Sequence, residues 1–179
     1  MISKILIVMF LIMVAIVYSK NKDDNKSQIK VKERAPLFEA IDHNNNLINL
    51  KDYLGNYVVI YFFPKAFTPG WTKQACGFRD KYSIYKENNI IVLGVSYDEP
   101  EKLNKFRKKH SLPFTFISDT DKTISKKYNS GGMLFPSRKT IIINPEGIIL
   151  NFIDNVNIDT HSDDIIKIVL DDVKSKQND

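Results

Sequence analysis

Runs of apolar residues punctuate this chain at regular intervals, and their periods change along it. Residues 57–63, YVVIYFF, are seven consecutive apolar, β-branched or aromatic positions. Such a run suits a strand buried on both faces, as at the centre of a mainly parallel sheet. Residues 90–96, IIVLGVS, repeat the pattern. Between them Trp71, Ala75, Phe78, Tyr82 and Tyr85 recur at helical spacing, predicting a helix over 71–86 after a loop at 64–70. Gly77 weakens that helix by roughly 1 kcal/mol relative to Ala. Residues 37–41 and 47–50 predict a short strand pair around the polar turn 42–46. Downstream come a charged helix at 100–110, a strand at 114–117, a short helix at 121–128 and a hairpin of 140–144 with 147–153 around Pro145-Glu146-Gly147. A last helix carries Ile165, Ile166, Val169, Leu170 and Val173 on one stripe, with Thr160 and Asp163 placed as a capping box. Strands alternating with helices imply βαβ units, and the closing hairpin adds an antiparallel edge. The fold class predicted is α/β: a central mixed sheet flanked by helices, in a thioredoxin-like layout.

The 179 residues suffice for one domain with a real core. The N-terminus differs from the rest. Residues 5–18 are 14 apolar residues without interruption, short for a spanning helix of about 20 residues and long enough for a signal-peptide core. Residues 1–19 therefore read as a signal peptide or an N-terminal membrane anchor. Export or membrane anchoring on the extracytoplasmic side is the localisation expected. The cationic flank after the run argues the other way about the side. Residues 20–34 are polar and charged and read as a linker that does not pack. The domain is expected over 35–175, with 176–179 as a tail.

Net charge is +5, but 20–34 alone hold six Lys/Arg against three Asp/Glu. Beyond residue 34 the chain is almost neutral, which speaks against nucleic-acid binding through phosphate contacts. Cys76 is the only cysteine, so an intramolecular disulfide is excluded. The histidines, His43, His110 and His161, are scattered without ligand spacing, so no metal and no cofactor is expected, and structural or surface roles suit all three.

The stretch that carries chemistry is 64–80, PKAFTPGWTKQACGFRD. It joins the end of a central strand to a helix start, where free N–H groups and the helix dipole favour negative charge. A cysteine there would be held largely as thiolate. Taken singly, its residues have plain structural readings. Pro64 ends a strand. Thr68 caps a helix with Pro69 in its first position. Arg138 is a surface arginine at a strand start, and Cys76 is a half-buried inert thiol.

Together they resemble the active-site segment of the bacterioferritin-comigratory (PrxQ) peroxiredoxins of the AhpC/TSA superfamily, T-P-G-C-T-K-x-A-C-G-F-R-D. Apart from the variable position held by Gln74, only Trp71 departs from it. Ala35-Pro36, YVVIYFFPK, LPFTFISD at 112–119 and GGMLFPSRKTIIINPEG at 131–147 extend the resemblance over about 140 residues. It implies thiol-dependent reduction of hydrogen peroxide or organic hydroperoxides, with a thioredoxin-like dithiol as reductant and a monomeric state. Residue by residue, it implies that Pro64 shields the reactive position and Thr68 bonds the peroxide. Arg138 stabilises the thiolate and leaving oxygen, Trp71 stands in the peroxidatic position, and Cys76 stands in the resolving position.

Indole supplies an N–H donor and no thiolate, so whether the chain is an enzyme is open. Three readings follow: a peroxiredoxin homologue inactive or weakly active for want of its nucleophile; a non-catalytic thioredoxin-fold binding module; or an active peroxidase whose residue 71 is Cys or selenocysteine in the cell.

Overall fold

The computed structural model describes residues 29–154 and 156–177. The predicted signal peptide or anchor at 1–19, the linker through 28 and residues 178–179 lie outside that range. No helix among the described residues is long and apolar enough to cross a membrane.

Among the described residues seven strands form one mixed sheet: β1 (Glu39–Asp42), β2 (Leu47–Asn49), β3 (Tyr57–Phe62), β4 (Ile90–Ser96), β5 (Thr115–Ser118), β6 (Lys139–Ile143) and β7 (Ile149–Ile153). The spatial order is β2-β1-β5-β4-β3-β6-β7. β3, β4 and β5 run parallel, while β1 pairs antiparallel with β5 and β6 with β3. Among the described residues a 3-10 turn (Leu50–Tyr53) and five α-helices complete the fold: α1 (Pro69–Asp80), α2 (Tyr82–Glu87), α3 (Pro100–Lys109), α4 (Thr123–Lys127) and α5 (His161–Gln177).

Every residue of β3 is buried, and its alternation serves two cores. Tyr57, Val59, Tyr61 and Phe63 share one cluster with side chains of α1, α2, α3 and α5. Val58, Ile60 and Phe62 share the other with Leu50, Ile124 and Tyr128. Gly94 is needed between the layers, because a Cβ there would lie 2.8 Å from the Tyr61 hydroxyl and 2.9 Å from the Phe116 ring.

The structure corrects three boundaries and one capping partner. The helix predicted over 71–86 begins at Pro69 and breaks at Lys81 into α1 and α2. The Thr160 hydroxyl bonds the carboxylate of Asp164, not Asp163, whose own carboxylate pairs with Lys81. Residues 32–34 are not an unpacked linker: Lys32 N–H donates to Ile149 O (2.8 Å), Ile149 N–H donates to Glu33 O (2.8 Å), and Arg34 bridges Ile148. Backbone groups make these bonds whatever the polarity of the side chains, so composition did not forbid them. At the other end α5 continues to Gln177, and Lys176, placed by the sequence in the tail, pairs with Glu146 and Asp172.

Candidate active site

The site forms where β3 ends. Phe62 is in register with Lys139, so the start of β6 brings Arg138 to the strand end from which the loop to α1 departs. That edge is the C-terminal end of the parallel strands, where open α/β sheets collect their functional loops.

Pro64 follows β3 half-buried, and Phe63 N–H still reaches Val95 O at 3.0 Å. The loop is pinned by a residue that sequence reasoning missed. Ala66 N–H donates to the Asp98 carboxylate at 2.6 Å, and Asp98 is in turn held by Ser96 and Lys102. The available signal was Ser96-x-Asp98 at a strand end before Pro100, a pattern that turns a side-chain acceptor back on local backbone. Phe67 has φ +70, a left-handed conformation uncommon for a bulky side chain. Its ring stands edge-on to Phe106 at 5.2 Å, with Lys109 over its face.

Thr68 occupies the N-cap position, yet its hydroxyl does not cap. It donates to Lys65 O at 3.0 Å, while the Thr68 carbonyl accepts from the amide and the hydroxyl of Thr72, each at 3.0 Å. Pro69 takes the first helical position, whose missing N–H would have been unpaired anyway. On α1, Trp71, Gln74, Ala75 and Phe78 face the core. The Trp71 side chain is only 7% exposed and belongs to the larger core cluster. The Arg138 guanidinium lies over the Trp71 ring, 4.3 Å from its centroid. Among the described residues Arg138 makes no ion pair; its side chain is exposed while its guanidinium covers the indole. Thr68, Trp71 and Arg138 thus meet at one helix start, with Pro64 at the root of the loop.

Cys76 is a free, half-buried thiol on α1. Five residues past Trp71, a helix has turned by about 140° and risen by roughly 7.5 Å. Cys76 therefore sits to one side of the face that buries Trp71, Gln74 and Phe78.

Behind the site lies a buried polar relay. The Gln74 amide meets His161 Nδ1 at 2.8 Å, and Thr140 Oγ1 meets His161 Nε2 at 3.0 Å. A neutral imidazole satisfies both contacts, one nitrogen accepting and the other donating. Burial pushes the His161 pKa down to about 4. The relay ties α1 to α5 and β6. His43 is also buried, against the Phe116 backbone, so two of the three histidines have structural places. Among the described residues no His/Cys/Asp/Glu cluster could hold a metal ion.

The thioredoxin-like sheet and the comparisons with known proteins together place the chain in the peroxiredoxin class. Residues 31–152 match the AhpC/TSA family. The chain is 36% identical to a putative peroxiredoxin bcp of Coxiella burnetii, over 77% of this chain and 97% of that protein. It is 32% identical to the peroxiredoxin Bcp of Bacillus subtilis, over 80% and 96% respectively. The crystal structure of peroxidoxin BcpB from Mycobacterium tuberculosis superposes with a TM-score of 0.76 at 28% identity, covering 80% of this chain and 98% of that one. The chain belongs to the AhpC/TSA peroxiredoxin family, and its relatives there are of the Bcp/PrxQ type.

Proposed function

We propose that this chain is a peroxiredoxin-type scaffold that has lost peroxide reduction at residue 71 while keeping the surrounding loop. One observation carries the reading: the Trp71 ring, buried and stacked under Arg138 at 4.3 Å, fills the helix start where the family reaction needs sulfur. In that reaction a thiolate attacks the O–O bond, water or an alcohol leaves, and the sulfur becomes a sulfenic acid. A second thiol then condenses with it, and a dithiol such as thioredoxin returns both to thiols. An indole N–H donates a hydrogen bond and supplies no such electron pair.

Cys76 does not replace it. Its place on α1 is more than a turn beyond the N-terminus, where the dipole effect has largely faded. It is also separated along the helix from the end at which Thr68 and Arg138 gather. Hydroperoxide substrate and thioredoxin-type reductant come to this chain from its family. Placement outside the cytoplasm, or on a membrane through residues 1–19, rests on the apolar run at 5–18.

The test offers hydrogen peroxide to the purified chain with thioredoxin, thioredoxin reductase and NADPH, Trp71 being verified by mass spectrometry. No turnover above the blank is expected. Turnover typical of the family from the Trp71 protein would refute the proposal. Trp71→Cys, checked for folding by circular dichroism, is expected to gain peroxidase activity. A folded but inert Trp71→Cys would favour the binding-module reading. A codon for Cys or selenocysteine at position 71 in the native gene would restore the reading of an ordinary peroxidase.

A further inference from the structure

The loop between α4 and β6 carries an apolar tip that the family chemistry leaves without a task. Met133 is 88% exposed, Leu134 73% and Phe135 48%. The backbone beneath them is tied down. Ser137 N–H donates to Ser130 O at 2.7 Å, and the Ser130 hydroxyl donates to Ser137 O at 3.0 Å, closing the base of the loop. The Tyr97 hydroxyl lies 3.3 Å from both the N–H and the carbonyl of Gly132, and Lys122 Nζ donates to Met133 O at 2.8 Å. At Gly132 a Cβ would fall 2.1 Å from the Phe135 carbonyl oxygen, so the tip folds back on itself as only glycine permits. Pro136 is buried. Three adjacent apolar side chains are thus held outward by a fixed backbone, against the usual tendency to bury them.

Cations lie on the flanks of the loop. Lys122 bonds the loop itself with its ammonium over the Tyr97 ring, Lys126 lies beside Gly131, and Arg138, three residues past Phe135 in sequence, is exposed with its guanidinium over Trp71. Asp121, bound to Thr123, is the carboxylate beside Lys122 and also faces the charge of Lys126. A convex apolar tip in a basic collar matches an interface that is apolar below and anionic above.

The N-terminal sequence points to the same partner. The uninterrupted apolar run at 5–18 is followed by a segment with six Lys/Arg and three Asp/Glu. The chain enters the domain along β7, where Lys32 bonds Ile149. Ten residues between the run and Ile29 reach at most about 35 Å, and the five residues of β6 span only about 17 Å, so one bilayer is within reach of both ends of the sheet.

We propose that residues 133–135 insert into the headgroup region of an anionic lipid bilayer, with Lys122, Lys126 and Arg138 against the lipid charges. The proposal stands apart from the chemistry at residue 71.

Met133 supplies the readout, because an exposed methionine is oxidised to its sulfoxide at a rate that follows access. The full chain is mixed with vesicles of phosphatidylcholine alone, or of phosphatidylcholine and phosphatidylglycerol in equal parts. Met133 oxidation by added hydrogen peroxide is then followed by mass spectrometry. Anionic vesicles are expected to slow it by about fivefold or more, and neutral vesicles far less. A Leu134→Asp/Phe135→Asp variant with unchanged circular dichroism is expected to lose that protection even if residues 1–28 still carry it to the vesicles. Equal protection by both lipids, or none while the chain co-floats with anionic vesicles, would overturn the proposal. So would protection that needs no vesicles and grows with protein concentration, which would mark the tip as a contact between copies.

Discussion

Replacing Trp71 by Ala is expected to cost about 3–5 kcal/mol of stability, the usual range for removing a buried large aromatic side chain. The ring is 93% buried within the larger core cluster, so the upper part of the range applies if α1 cannot settle inward. The helix preference of Ala over Trp returns a few tenths of a kcal/mol. Arg138 adds a second component. Its guanidinium lies 4.3 Å from the ring centroid on the solvent side, where a cation–π contact contributes roughly 0.5–1 kcal/mol. A double-mutant cycle of Trp71→Ala and Arg138→Ala should return a coupling of that size. Urea denaturation followed by far-ultraviolet circular dichroism is the assay, because Trp71 is the only tryptophan and its fluorescence disappears with it. Against a total of about 5–15 kcal/mol the loss leaves a folded but weakened protein. A cost below about 1 kcal/mol at unchanged denaturant slope would show that the ring is not part of the core, and would refute the argument that it fills the site.

Two further outcomes follow from the surroundings of α1. His161 is 1% exposed and its pKa is held near 4 by burial, so the unfolded chain, with a histidine near 6.5, takes up the proton first as pH falls. Its contribution is therefore complete above about pH 6.5 and drains away towards pH 4, by about 3 kcal/mol in all. Urea midpoints should fall more steeply with acid in the wild type than in His161→Gln, and parallel curves would contradict the assignment. Gly77 lies within α1 with nothing within 4 Å of the position a Cβ would take. Gly77→Ala should therefore stabilise by about 0.5–1 kcal/mol and raise the Tm by a few degrees, and a lowered Tm would show that the space is not free.

The parts of this site that were legible in sequence are those held by one contiguous stretch and one strand register. Pro64, Thr68 and Trp71 follow β3 directly, and the strand predicted over 140–144 placed Arg138 just ahead of a strand start. What was not legible depends on contacts far apart in sequence. Nothing local indicates that Ala66 N–H finds Asp98, or that Gln74 meets His161 across 87 positions. The break at Lys81 was hidden because the apolar stripe continues through it: α1 and α2 both pack on the same cluster, so Phe78 and Tyr85 keep helical spacing across the bend. The pairing of 32–34 with β7 was hidden for a different reason, since it is made by backbone groups that composition does not report.

The loss of a nucleophile proposed above need not dissolve the surrounding loop, because each remaining piece is held by something other than substrate. The Thr68 hydroxyl is engaged by Lys65 O, the loop by the Asp98 carboxylate, and the unusual backbone at Phe67 by its ring against Phe106. Arg138 is the exception, because its neighbour is Trp71 itself. Trp71→Cys would therefore do two things at once. It would place a sulfur at the helix start, and it would remove the surface on which the guanidinium rests. The freed Arg138 can then turn toward the new thiolate, a charge-assisted contact stronger than the stack it replaces. That gain is set against the several kcal/mol of core packing that the indole contributed. On this account tryptophan at position 71 exchanges chemistry for stability, the direction expected where a reactive site is relieved of its function. The same exchange predicts that Trp71→Cys will be less stable than the chain as it stands.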